Sequence, residues 1–331
     1  MKRFFLAIIS FAAFVACEKA TFVEEQTEKP DSGDKTITGQ DGKIAAISDF
    51  ASLILDGNES LDIAEMIDKF LKEHEEEKIY PEGSEWHTVE TVGPLLTTLW
   101  DQYEPFYNLC PKLGPNKDLQ APAGCVTCSV AQFLAYNEFP SGLTDYKAIK
   151  NIKNSENRLN IGTYQEGLLA AKFIADISTE DMLDVWYVEM LPGNTRGYVN
   201  PLAVMRTLKA LGYENIKLNI GLDIATIVRS IEKGYPVLAS AISIYPPGAH
   251  GWVIDGYMKR ELTGPEGDVL DSQYLLHFNW GWNGKNNGYF DTGIIDTRKS
   301  VIPDVVNPES RDYIYSLGFN TITAEKPSDA E

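Results

Sequence analysis

Cys125 and His250 are the residues whose types and spacing point most directly to chemistry. Cys125 follows Gly124 and heads an apolar run from Val126 to Gln132. His250 lies 125 positions later, in Ala249-His250-Gly251-Trp252-Val253-Ile254, a run that reads as a strand. A cysteine at a helix start, met by a histidine from elsewhere in the fold, can attack a carbonyl carbon. The thiolate is the nucleophile, and the imidazole takes and returns the proton. A free thiol ionises at about pH 8.5, so few are thiolates at neutral pH. Helix N–H groups and a nearby imidazolium would lower that value. Cys128 lies one turn deeper, among residues expected to be buried, and is the weaker candidate.

A tetrahedral intermediate also needs donors for its oxyanion. The Cys125 N–H is one. Gln102 and Gln120 are the two candidates for a side-chain donor. The stretch His277-Phe278-Asn279-Trp280-Gly281-Trp282 offers polar and aromatic groups to hold the base, with His277 itself expected as a hydrogen-bonded core residue. Cys125-x-x-Cys128 is formally a redox or zinc half-site, but the chain has four cysteines and no second such pair. No metal and no cofactor is expected. If Cys17 is modified and Cys125 is the nucleophile, Cys110 and Cys128 remain as a possible disulfide pair.

The elements that must position these groups change character along the chain. A helix is expected over Val126–Tyr136, ended by Pro140 and Gly142, and another over Pro201–Leu211 with Pro201 at its start. The middle, 143–233, reads as helices and loops. Short β-rich runs follow at 237–239, 252–254, 274–278 and 313–315. A helical half therefore precedes a strand half, which is an α+β arrangement. The 331 residues carry a net charge of −19, which argues against a nucleic-acid partner. Residues 18–90 hold 20 acidic and 7 basic side chains and carry most of that excess.

The N-terminus reads as an address. Lys2 and Arg3 precede an apolar run ending at Ala16, as in an export signal. Phe14-Val15-Ala16-Cys17 is similar to a bacterial lipobox, which makes Cys17 a candidate lipidation site. The expected organisation is a signal peptide over 1–16, a polar tether over 17–40, and a pro-segment over 41–88 with an amphipathic helix at 61–78. A catalytic domain over 89–323 and a tail over 324–331 follow. The boundary between leader and enzyme is expected between Tyr80 and Val92.

Four blocks in order resemble the streptopain family of papain-like cysteine peptidases. They are Trp100-Asp101-Gln102 through Pro111, Gly124-Cys125-Val126 through Gln132, His250 through Tyr257, and Asn279-Trp280-Gly281-Trp282 through Phe290. The resemblance covers about 90–318. It implies a papain-like two-lobed α+β fold, a helical lobe with the nucleophile helix and an antiparallel β lobe, preceded by a pro-segment. It implies Cys125 as nucleophile, His250 as base and acid, and Gln102 rather than Gln120 in the oxyanion hole. Either Asn279 or Trp280 would orient His250. The chain departs from the family in Ala249 and Gly251, where Gly and Ala are usual, and in Cys128, where Thr or Ala is usual. The expected protein is a secreted cysteine endopeptidase made as a zymogen, a bacterial outer-membrane or cell-surface lipoprotein. Its expected partners are protein or peptide substrates, its own pro-segment as intramolecular inhibitor, and the membrane through the lipid alone. The alternatives are a Cys-His amidase or transferase on cell-wall peptides, and a surface lipoprotein that binds proteins through a degenerate cleft.

Overall fold

The structure, a computed structural model, describes residues 79–150, 152, 164–245, 247–305 and 312–328. The export signal, Cys17, the tether and the helix expected over 61–78 lie outside the described residues. The chain begins with strand β1 (Glu85–Val92) and the short strands β2 (Lys112–Leu113) and β3 (Leu119–Gln120). Helices α1 (Cys125–Asn137), α2 (Tyr146–Ile149) and α3 (Tyr164–Ile177) come next. A hairpin of β4 (Trp186–Leu191) and β5 (Asn194–Tyr198) leads to α4 (Pro201–Ala210), β6 (Glu214–Ile220) and α5 (Ile224–Glu232). The long strands β7 (Val237–Tyr245), β8 (Pro247–Thr263) and β9 (Val269–Asn279) are followed by β10 (Gly288–Phe290), β11 (Ile295–Asp296), β12 (Ile302–Pro303) and β13 (Ile314–Glu325).

Helix α1 is apolar nearly all round, and Thr127 to Ala135 are all buried. A helix without a polar face has to be surrounded. Trp100, Phe106, Phe173, Ile174, Leu208 and Tyr213 are among the side chains that surround it. It stops where Glu138 turns left-handed, at φ 49°, two residues before Pro140. Helix α4 starts as expected: Pro201 occupies the first turn and Asn200 accepts from the Leu202 N–H at 2.8 Å.

Nine of these strands form one antiparallel sheet in the order β11-β13-β7-β8-β9-β10-β12, with β1 added to β8 and β6 added to β13, while β2–β3 and β4–β5 pair separately. The apolar runs mark only parts of these strands. β8 continues through Lys259, Arg260 and Glu261 because β1 and β9 pair with it on either side there. Ladder bonds use backbone groups, so polar side chains are carried as long as they face water. The middle of the chain also differs from the expected helices and loops. It contains the β4–β5 hairpin and β6, in which Ile216, Leu218 and Ile220 alternate with polar residues.

Two expected boundaries fall inside strands. β1 runs across 88/89, with Glu85 opposite Thr263 and Val92 opposite Tyr257, so residues 85–88 belong to the same sheet as His250. They pair with β8 ten or more residues beyond His250, roughly 30 Å along the strand. At the other end β13 continues through Glu325, past the tail expected from Ala324. Ala324 is buried, and Glu325 pairs with Lys233 at 2.8 Å.

Candidate active site

Gly124 and Cys125 sit where α1 begins. Gly124 has φ 93°, a conformation that favours glycine, and a Cβ there would lie 3.0 Å from the Gly197 carbonyl oxygen on β5. This turn leaves Cys125 as the first helical residue, half-buried, with open backbone N–H groups around it. Burial pushes the Cys125 thiol above its ordinary pKa. The N–H groups of Gly251, Val126 and Cys125 itself, and the charge of Arg196, act against that without cancelling it. At neutral pH the sulfur therefore holds its proton until a base takes it.

The strand that carries His250 lies directly against this helix start. Gly251, the next residue, presents its N–H to the Cys125 sulfur. It is so close that a Cβ on it would meet Val126 Cγ2 at 2.8 Å. The Ala249 and Gly251 order is explained by this contact: Ala249 faces out and is exposed, while Gly251 is packed on Val126.

His250 is held on its other side. Its Nε2 lies 2.8 Å from the Trp280 main-chain oxygen. A carbonyl can only accept, so Nε2 carries the proton, and in the neutral ring Nδ1 is left as the basic nitrogen. The ring also lies among aromatics, 4.7 Å from Trp282 and 6.2 Å from Trp280, centroid to centroid. Sequence reasoning considered Trp280 for its ring. The carbonyl does the tethering, and the indole nearest His250 is that of Trp282. A main-chain oxygen leaves no residue-type signal, so only the fold reveals it.

Asn279 has other partners. Its Nδ2 donates to the Thr98 carbonyl at 2.9 Å, and its Oδ1 accepts from the Gly281 N–H at 3.2 Å and from Gln132 Nε2 at 3.5 Å. It braces the Trp280–Gly281 turn from behind.

The two glutamines separate cleanly. Gln120 Nε2 donates to the carbonyls of Tyr107 and Cys110, both at 2.9 Å, and to that of Ala121 at 3.5 Å. Gln102 is fixed by its backbone, whose carbonyl accepts from Ala123 N–H at 2.9 Å, two residues before Cys125. Its half-buried side chain makes no hydrogen bond among the described residues. Gln102→Ala is accordingly expected to lower kcat by roughly 10²-fold with little change in melting temperature. Gln120→Ala is expected to do the reverse, and measuring kcat and Tm for both variants checks the assignment.

Cys110, Cys125 and Cys128 are free thiols. Cys110 accepts from Tyr187 Oη at 3.5 Å, and Cys128 donates to the Asp101 carbonyl at 3.4 Å. Burial drives the Cys128 thiol well above its ordinary pKa, with the nearby charges of Asp101 and Cys125 adding to it. One residue went unnoticed in the sequence: Arg196 on β5, whose charge reaches Cys125 from the hairpin.

His277 forms a separate buried cluster. Its Nδ1 lies 2.6 Å from Asp255 Oδ1, and its Nε2 lies 3.0 and 3.1 Å from the two oxygens of Asp304. Both nitrogens face carboxylates, so both are donors and the ring is an imidazolium. Burial works against the charge, but the two carboxylates prevail and hold its pKa at about 9.

Residues 207–290, which include His250 and Trp280, match the Peptidase C10 family. The thiol protease/hemagglutinin PrtT of Porphyromonas gingivalis is 27% identical over 238 residues, covering 62% of this chain and 25% of that protein. Streptopain of Streptococcus pyogenes serotype M1 is 24% identical over 282 residues, covering 71% of this chain and 65% of that protein. The chain thus spans less than two thirds of the length of both relatives. Among solved structures, active wild-type interpain A cysteine protease of Prevotella intermedia superposes with a TM-score of 0.50 at 19% identity. That match covers 71% of this chain and 95% of interpain A, and it establishes a shared papain-like fold. The chain is thus similar to streptopain-like cysteine peptidases, and its residues 207–290 match the Peptidase C10 family.

Proposed function

We propose that the chain is a cysteine endopeptidase, exported, anchored through Cys17 and made as a zymogen. The observation that carries the peptidase reading is the seating of the His250 strand on the start of the Cys125 helix through Gly251. Its cleft lies between a helical lobe with Cys125 and a β lobe with His250. The sulfur adds to the peptide carbonyl carbon as its proton passes to His250 Nδ1. The Cys125 N–H and Gln102 Nε2 receive the oxyanion. His250 then protonates the leaving amine, the C–N bond breaks, and an acyl-enzyme remains. Water attacks that thioester as His250 takes its proton, and the thiol is released with the new carboxylate. The tether to the Trp280 carbonyl supports this cycle because it keeps one nitrogen turned away while the other gains and loses the proton.

The zymogen and anchor readings rest on the acidic leader and on Phe14-Val15-Ala16-Cys17. The strand pairing of residues 85–92 supports a pro-segment whose inhibitory part lies upstream of Glu85. An epoxide thiol inhibitor is expected to label the reduced protein once, at Cys125. The protein is expected to release peptides from casein and not from peptidoglycan. Release from peptidoglycan alone would favour the amidase. Absence of labelling together with intact casein would favour a binding protein.

A further inference from the structure

The β4–β5 hairpin brings a cation to the edge of the site. Thr195 Oγ1 donates to the Gln120 carbonyl at 3.1 Å, and the Gly197 carbonyl abuts Gly124. These two contacts pin the strand on both sides of Arg196, beside the turn that delivers Cys125. Arg196 is exposed, and its guanidinium makes one hydrogen bond, from Nη1 to the Thr195 carbonyl at 2.9 Å. Among the described residues no carboxylate pairs with it. In a chain with a net charge of −19, a cation beside the nucleophile with no acidic partner stands out from its surroundings. Its field reaches both Cys125 and Tyr198, and the charge of Cys125 also reaches Tyr198, so the three groups share one patch. Next to it lies an aromatic ledge: Trp186, 63% exposed, stands opposite Tyr198 in the hairpin with ring centroids 6.1 Å apart.

We propose that Arg196 is a specificity-determining residue that pairs with an acidic side chain of the substrate, close to the bond that Cys125 attacks. The inference rests on the peptidase reading and deepens it. A guanidinium offers five donors in a fork that matches a carboxylate, and Arg196 has spent one of them. A bound peptide would shield the pair from water on one side, which strengthens it relative to an open surface pair. The surrounding negative charge sharpens the choice. Acidic substrates are repelled by most of this surface and are accommodated only where a cation answers them.

The test uses the full chain in its active, reduced form. The probes are peptide pairs that differ only by Glu against Gln, or Asp against Asn, at each of two positions on either side of the scissile bond. The wild type is expected to prefer the acidic member at one of these positions by roughly 5- to 20-fold in kcat/KM, and the preference should shrink as salt is raised. Arg196→Ala is expected to erase the ratio. Arg196→Glu is expected to invert it in favour of Gln over Glu at that position. Because each variant is compared with itself on paired peptides, a general loss of activity does not affect the reading. If the wild type cleaves the neutral peptides but shows no acidic preference at any position, or if Arg196→Ala keeps the preference, the assignment is overturned while the peptidase reading stands. If the wild type cleaves neither casein nor any peptide, the peptidase reading itself fails.

Discussion

Cys125→Ala is expected to lower kcat for casein by roughly 10⁵- to 10⁶-fold, and His250→Ala by a similar factor. Each removes half of one device. Without the sulfur there is no acyl-enzyme. Without the imidazole the Cys125 thiol, raised by burial, loses its proposed proton acceptor. Because the two act as a unit, the double variant is expected to be no slower than the worse single one, and that non-additivity is the signature of the pair. Cys125→Ala should cost the fold little. Cys125 is half-buried at a helix start, so Cys125→Ala is expected to melt within a few degrees of the parent. A serious rival would show in a different pattern. If Cys128→Ala lost activity and Cys125→Ala kept it, the nucleophile would have to be the deeper thiol. Its hydrogen bond to the Asp101 carbonyl and its strongly raised pKa both argue against that.

His277→Gln is expected to lower stability by about 3–5 kcal/mol, which for a domain of this size is on the order of a 10 °C fall in Tm. The cost comes from the residue left behind. Asp255 is fully buried, and among its described contacts are the His277 ring and the Leu96 N–H at 3.0 Å. Removing the imidazolium strands a carboxylate in an apolar setting. Adding Asp255→Asn to His277→Gln is therefore expected to restore part of the loss, which a merely misfitted side chain would not do. The same cluster sets an alkaline limit. The pKa of His277 rises on folding, from an ordinary value of about 6.5 to about 9. Its stabilising contribution is complete below the lower value and fades as the pH climbs through the upper one. Urea midpoints measured from pH 6 to 10 should fall toward the alkaline end in the parent and stay flatter in the double variant.

Much of the site was legible in the sequence because its chemistry demands particular residue types. The proposed nucleophile, Cys125, and the proposed base, His250, stand out by residue type, and a proposed oxyanion donor left two glutamines to choose between. The choice between them needed the fold: Gln120 is consumed by three carbonyls, and Gln102 is not. The orienting group was harder. Asn279 looked suitable and turned out to brace a turn, while the atom that meets His250 belongs to the backbone. Arg196 sits in a short hairpin with no motif, and its nearness to Cys125 arises from packing across 70 intervening residues. For the fold, the nucleophile helix and α4 were readable from apolar runs, Pro201 and chain breakers. The strand lengths were not, since β1 and the second half of β8 are stabilised by neighbours rather than by their own apolar pattern.

The bond between His250 and the Trp280 carbonyl places the His250 ring under the control of an atom that every amino acid possesses. A scan that swaps side chains one at a time would pass over it, because any residue at 280 still offers the oxygen. The genetic weak points move to whatever aims that peptide unit. These include Asn287, whose Oδ1 receives the Trp280 N–H at 3.1 Å, and Gly281, which bends the chain at φ 67° directly afterwards. On the proposed mechanism, inactive natural variants are therefore expected at positions that never contact the imidazole, with Cys125, His250 and Gln102 intact.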